Sequence, residues 1–513
     1  MDINLEKITV KSRNNVLNSK YDLPFEIDCT LPDYCRDVEK LLSSNINPVV
    51  CSVFSDDSKV TIEGNNFIEI YYCDKENNIS KYESKVPFSK IIDFKSKANN
   101  PAISVKAYEG YINCRAVSPR RLDIRGTTQI ELYVNAEKEE KIIQKIPLND
   151  IETNIFNFEN AEFIGQYSKQ FTIKDSIDTK IKSIEHTAII KYTVSPAINE
   201  YKILPDKTIL KGLLFINICF YNEKDKKIST EAYKLPFSQI IDCNGIDEDC
   251  ICDFCVKVIN SEICLGNDEE NKEKLNISAT LCADIKGYRK KETCGIKDCF
   301  CHSCDCSCKN KNVNIFNPIL QINNDFNFNE TVLLDDYTEI KDVTCKIISS
   351  ETEYIQNTVK LKLRAVLSVL GIKNNSLCCT EKVVSSALDI SKNIKSDCLY
   401  FNPCINLINC SYSDINNGKA EINCTLRING IIFDKLSVSL VDNIKPEPKA
   451  SKNIDNDLII IYYTHSREDI WDIAKRYNSS VNNIKKYNKI SSDYVEKGKV
   501  ILITPFKQTP LME

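Results

Sequence analysis

Six cysteines, Cys294, Cys299, Cys301, Cys304, Cys306 and Cys308, fall within 15 residues that also hold His302. Thiolate sulfur and imidazole nitrogen are the ligands that zinc prefers, which makes Cys299, Cys301, Cys304, Cys306 and Cys308 the candidate metal ligands. Cys250, Cys252 and Cys255 repeat the C-x-C-x2-C spacing of Cys299, Cys301 and Cys304, so a paired site is conceivable. Against this, the order is not that of a CxxC…CxxC ribbon, and cysteine is abundant elsewhere, 25 in all. The favoured reading is a loop of disordered or redox-labile thiols with no cofactor. Zinc is the alternative, and thiolate ligation would then order a loop with little apolar content of its own.

Other chemistry has less to work with. The histidines number three and are scattered, so acid-base catalysis of the usual imidazole kind has no evident centre. There is no G-x-S-x-G and no glycine loop to cradle phosphate, and glycine itself is scarce at 13 residues. Acidic pairs such as Asp335-Asp336 and Glu139-Glu140 read as solvated faces. The expectation is a protein that is not an enzyme.

With 513 residues, of which 42% are hydrophobic, the chain can pack about three to four domains. Its 67 basic and 72 acidic residues nearly cancel, which predicts no attraction to nucleic acid or to an anionic membrane. The N-terminal stretch lacks a basic leader followed by an apolar core, so the chain is expected to stay in the cytoplasm, with no membrane insertion. An odd number of cysteines in a large chain makes reduced thiols the expectation.

The elements that must position these residues are repeated. The segment from Lys59 to Asp93 returns from Lys207 to Asp242, with Gly64 matched by Gly212, Phe67 by Phe215 and Pro87-Phe88-Ser89 by Pro236-Phe237-Ser238. Each copy reads as a β-hairpin with a charged turn, where one extra residue is tolerated. A diverged third copy spans about Asp325 to Asn443, with Val359, Leu361, Leu363, Ala365 and Leu367 in the alternation of a half-buried strand. Leu31-Pro32-Asp33-Tyr34 is answered there by Leu334-Asp335-Asp336-Tyr337. Polar joins are expected at Asn149 to Asn160 and Lys309 to Asn329, and an exposed tether at Lys445 to Asn456. These copies, through Phe25 to Val38, Val60 to Tyr72 and Val86 to Asp93, resemble the SPOCS domain of sporulation proteins in endospore-forming bacteria.

The last 50 residues follow a strand, helix, helix, strand pattern. Ile470, Ile473, Ala474 and Tyr477 have the spacing of one buried helical face. Ser479 or Ser480 is placed to cap the second helix, whose inner face would be Val481, Ile484 and Tyr487, and Gly498 turns the chain into the last strand. Alternation along Leu458 to Tyr463 puts Ile459, Ile461 and Tyr463 on one side and Leu458, Ile460 and Tyr462 on the other. Tyr463-Thr464, Ile470 to Tyr477, Gly498 and Ile501 to Pro505 resemble the LysM module. Where sugar-binding members of that family carry Gly-Asp-Thr and Pro-Gly-Gln in the loops that form the N-acetylglucosamine groove, this chain has Arg467-Glu468-Asp469 and Lys497-Gly498-Lys499. That departure puts protein binding ahead of peptidoglycan.

The fold expected is mainly β: tandem β-sandwich-like SPOCS repeats followed by a small α+β (βααβ) LysM module. Their borders are expected at 1–160, 161–315 with a Cys-rich insertion, 316–445, a linker at 446–456, and 457–505. SPOCS repeats ahead of one LysM module are similar to the arrangement of clostridial proteins that bind the spore coat ATPase SpoIVA. The resemblance implies a coat-morphogenesis adaptor in the mother-cell cytoplasm at the forespore surface and in the spore coat, with SpoIVA as partner and other coat proteins as further candidates. The alternatives are a LysM-mediated peptidoglycan or cortex binder and a Cys-rich metal-binding protein. The expected protein-binding residues are Ile459, Tyr463, Ile470 and Trp471. Trp471, the sole tryptophan, has core support and partner contact as equal readings.

Overall fold

A computed structural model describes residues 5–504 apart from 57, 95–97, 149, 180, 182–185, 268–272, 375, 395, 397 and 448–458. The chain runs first through β1 (Glu6–Thr30), β2 (Lys40–Ser55), β3 (Lys59–Cys73), β4 (Ile79–Asp93), β5 (Asn99–Ser118) and β6 (Arg121–Lys145). The same succession returns in β7 (Ile151–Asp178), β8 (Thr187–Leu204), β9 (Lys207–Asn222), β10 (Lys227–Asp242), β11 (Cys250–Asn267) and β12 (Glu273–Cys301). It returns again in β13 (Asp305–Leu333), β14 (Tyr337–Ile355), β15 (Thr358–Lys373), β16 (Ser376–Lys392), β17 (Leu399–Tyr400), β18 (Cys404–Tyr412) and β19 (Lys419–Glu447).

Each unit is two antiparallel sheets face to face. One is a meander, ordered β2-β3-β4, β10-β9-β8 or β14-β15-β16. The other places the unit's last strand, β6, β12 or β19, beside its first and beside the one just before it. Inward side chains from both sheets make the core, as Val60 and Ile62 do with Ile130, Leu132 and Val134 in the first unit. The fold is the mainly β one expected.

The repeated hairpin is the middle and one edge of the meander. The in-and-out pattern of β3 recurs residue for residue in β9. The second copy absorbs its extra residue by lengthening both strands and shortening the loop between them. Gly64 and Gly212 are explained by what lies over them. A Cβ at Gly64 would come 2.3 Å from Val49 O and 2.4 Å from the Phe88 ring, and one at Gly212 would meet Ala197 O and Phe237 in the same way. Glycine and phenylalanine thus form one device, a ring laid across a bare stretch of strand. In the third unit the five alternating residues of β15 are all buried. The two related corner phrases are equivalent: Leu31 N donates to Arg120 O, and Leu334 N donates to Gly418 O.

The borders differ from those read in the sequence. Residues 160 and 315 lie inside β7 and β13. The Asn-rich joins are edge strands that pair on one side only, and edge strands are often polar, which made them look like connectors. The Cys-rich stretch is no insertion either, since it is the end of β12 and the start of β13, with only 302–304 between them.

The three units pack together at equivalent places. Val10, Phe158 and Val313, from β1, β7 and β13, share one cluster with Ile142 and Leu440. A Cβ at Gly295 would lie 2.8 Å from Leu440 and 3.3 Å from Ile142, so β12, the closing strand of the second unit, fits this junction only by having no side chain there. Aromatic contacts extend the seam, with Tyr288 and Phe433 rings 5.0 Å apart and the Arg13 guanidinium 3.8 Å from the Phe163 ring centre. A disulfide between Cys255 and Cys404 ties the second unit to the third, an exception to the expectation of reduced thiols. Between the units lies a cavity of about 460 Å³ lined in part by Lys106, Asp253, Lys257 and Lys286. Burial pushes Lys106 down to about 8 and Asp253 up to about 6. Among the described residues no helix is long and apolar enough to cross a membrane.

Candidate functional site

The last segment is a small α+β module: β20 (Ile460–Tyr463), β21 (Glu468–Asp469), α1 (Ile470–Tyr477), α2 (Val481–Asn488), β22 (Tyr494–Val495) and β23 (Val500–Ile503). Asp469 caps α1 by accepting from Trp471 N at 2.8 Å. Ile470, Ile473 and Ala474 are buried on the face their spacing implies. Ser480 stands at the N-cap of α2 but makes no side-chain cap bond, and Ser479 Oγ instead donates to Thr504 O. Tyr487 is exposed, against expectation. The chain leaves α2 through Lys489 in the left-handed region, Ile490 N donates to Lys485 O, and Ile490 takes the inner position. An apolar residue just past a left-handed cap commonly folds back onto the last turn.

Gly498, at φ +83°, makes the turn into β23. The strand β20 pairs with β23, and its alternation leaves one apolar strip uncovered. Ile459 is 64%, Ile461 72% and Tyr463 54% exposed, with Val500 and Leu502 beside them on the partner strand. Ile460 and Tyr462 turn inward onto the helices. Leu458 lies outside the described residues. Of the four residues expected to bind protein, Ile459 and Tyr463 are on this strip. Ile470 is fully buried in the module's core, where it anchors α1 and cannot reach a partner.

Trp471 is 9% exposed because it is covered by the second unit. Its indole stands edge-on to Phe300, with centroids 5.1 Å apart, and its Nε1 donates to Asp298 Oδ2 at 2.9 Å. Lys475 Nζ reaches the same carboxylate at 2.6 Å. Asn478 Nδ2 donates to His302 O at 2.9 Å. The imidazole of His302, with Nε2 3.6 Å from Glu152, is foremost in holding the Glu152 carboxyl below its ordinary range, and Ser480 on the module adds to this. The module is therefore seated on the end of β12. This seat was missed in the sequence, although one signal was present: in Asp298-Cys299-Phe300-Cys301-His302 a polar or aromatic residue alternates with cysteine, the period of a strand with two different faces.

The loops that would hold a sugar are bridged. Arg467, before α1, lies 3.5 Å from Glu496, before β23, and its guanidinium sits 4.7 Å from the centre of the Tyr494 ring.

The five candidate metal ligands divide into two groups. Sγ atoms of Cys301, Cys304 and Cys306 all lie within 4.8 Å of one another. Cys299 and Cys308 form a separate pair with Sγ atoms 2.9 Å apart. In that pair a hydrogen bond from the Cys299 thiol lowers Cys308 and raises Cys299, so Cys308 is the first to ionise. The second half of the conceivable paired site does not assemble, because Cys255 is bonded to Cys404 while Cys250 and Cys252 are buried in the second sandwich.

Residues 37–117 and 185–265 match the family model described as SipL, SPOCS domain, and residues 466–504 match that of the LysM domain. The first two matches run from β2 to β5 and from β8 to β11, the meander and the strand after it; the third unit lies outside them. The chain thus carries two SPOCS domains and a C-terminal LysM domain, both of them non-catalytic domain families, and the combination fits a sporulation-associated protein. A search of the curated proteins returns no match.

Proposed function

We propose that this chain, with its SPOCS domains and LysM domain, is a non-enzymatic adaptor of spore coat assembly that grips the coat ATPase SpoIVA at the forespore surface, on the mother-cell side. The three-unit body is its rigid frame and a site for other coat proteins. The observation that carries the reading is the uncovered strip of Ile459, Ile461, Tyr463, Val500 and Leu502, since apolar and aromatic side chains clustered on a small rigid element are the material of protein contact. The Arg467–Glu496 bridge across the sugar loops favours a protein over peptidoglycan.

The test is Ile461→Ala and Tyr463→Ala in the full chain, with circular dichroism to establish folding. Each is expected to weaken binding to the ATPase by about tenfold or more. Binding equal to that of the parent in both folded variants would place the grip elsewhere. Sedimentation with purified peptidoglycan, beside a conventional LysM protein, separates the cortex-binding alternative.

A further inference from the structure

The end of β12 has two faces with different chemistry. Asp298, Phe300 and His302 face the LysM module or the groups around its seat. Cys299 and Cys301 point the other way, as strand alternation requires, and each meets another thiol: Cys308 at 2.9 Å and Cys304 at 2.8 Å. The turn at 302–304 then brings in Cys306, which lies 3.8 Å from Cys304.

We propose that Cys301, Cys304 and Cys306 form a thiolate zinc centre that fixes the end of β12 and, through it, the seat of the LysM module. Three thiols meeting at one point cannot all be satisfied by disulfides, since one would always be left over. A tetrahedral ion with Zn–S bonds of about 2.3 Å holds its sulfurs roughly 3.8 Å apart, the separation of Cys304 from Cys306; Cys301 needs to shift by about 1 Å. On binding, three S–H bonds give their protons to solvent and three S–Zn bonds form, with no change of oxidation state. Cys304 and Cys306 are half-buried, so the fourth coordination position is open to solvent.

The consequence reaches the module because the ligands and the seat are neighbours on one short strand end. Cys301 lies next to Phe300 and His302, and a pinned Cys301 holds both in register with Trp471 and Asn478. Without the metal, the turn is held by hydrogen bonds to Asp150, from His302 N, from Ser303 N and from the Cys301 thiol, none of which fixes Cys304 or Cys306. The centre would therefore set whether the module stays docked on its seat or leaves it, whichever partner it grips.

Trp471, as the sole tryptophan, reports the seat directly. Full-length protein prepared reduced and anaerobic is titrated with zinc, then with cobalt. The expected result is about one equivalent bound, a thiolate-to-cobalt absorption band, and a blue shift of tryptophan emission that chelation reverses. Cys304→Ser should lose the band and keep the red-shifted emission, Asp298→Ala should keep the band with a smaller blue shift, and Cys264→Ser, at an exposed cysteine elsewhere, should change neither. Absence of the band in reduced parent protein overturns the site, and a band with unchanged tryptophan emission overturns its hold on the module. The parent readings need no substitution, so they decide the matter even where Cys304→Ser fails to fold.

Discussion

Where the three sandwiches meet, Val10, Phe158, Val313, Ile142 and Leu440 interlock so closely that Gly295 has no room for a methyl group; where the LysM module meets the second sandwich, one edge-on pair of rings is surrounded by polar contacts to Asp298, His302 and Glu152. The first contact is built like a protein interior, and opening it would expose apolar surface from all three units at once. The second is built like an interface between separable bodies, with water-compatible groups on both sides. The body should therefore behave as one rigid object, and the module as a part that can leave it.

The sharpest way to break that contrast is Leu440→Ala, which removes a fully buried side chain from the common junction. It should cost about 2–5 kcal/mol, read by urea unfolding, in a transition that remains single for the whole body. Separate transitions for the three units would show that the seam is weaker than its packing. Next in size is Phe300→Ala. It should weaken docking of the module by about 2 kcal/mol, seen as a red shift of Trp471 emission, while leaving the unfolding midpoint of the body nearly unchanged. A lowered body midpoint would mean that Phe300 belongs to the sandwich and not to the seat.

Asp298→Ala should act the same way with less force, about 1 kcal/mol, because its partners Trp471 Nε1 and Lys475 can turn to water at a partly exposed site. The smallest effect is one of pH. Glu152 is held below its ordinary value of 4.5, so its share of the seat is fully present at neutral pH and is lost as pH falls through the lowered value. Trp471 emission of the parent should thus shift to the red in that acid range, and Glu152→Gln should flatten that part of the profile. An identical acid profile in the variant would remove Glu152 from the account.

What could be read from the sequence was whatever lies close together along the chain. The hairpin repeat was visible because Gly64 with Phe88 and Gly212 with Phe237 are the same local device, and the module was visible because its helix faces follow from spacing. Tyr487 was misread because a left-handed turn at Lys489 lets Ile490 fold back, which periodicity within the helix does not convey. β7 and β13 were hidden for a different reason: asparagine on an edge strand and asparagine in a connector look alike until the pairing partner is known, and the partners β12 and β19 lie far along the chain. Alternation alone grouped Ile459, Ile461 and Tyr463 on one face, but that this is the exposed face follows from the packing of Ile460 and Tyr462 on the helices, which alternation does not convey. That Trp471 packs against Phe300 is a tertiary fact: the alternation at 298–302 shows that the strand end has two faces, but not what covers either of them.

The pairing pattern also orders events in time. In each sandwich the last strand is the central one, and Glu6 of the first strand lies opposite Lys145 of the last. Contacts of such long range make for high contact order and slow closure, and a chain still being synthesised cannot complete a sandwich before its final strand has emerged. For the second sandwich that strand is β12, whose final residues are Asp298 to Cys301. Trp471 follows Asp298 by 173 residues. The berth is finished while its occupant has yet to be translated, and a whole sandwich must be made in between, so the module arrives last, at a surface that has been waiting for it.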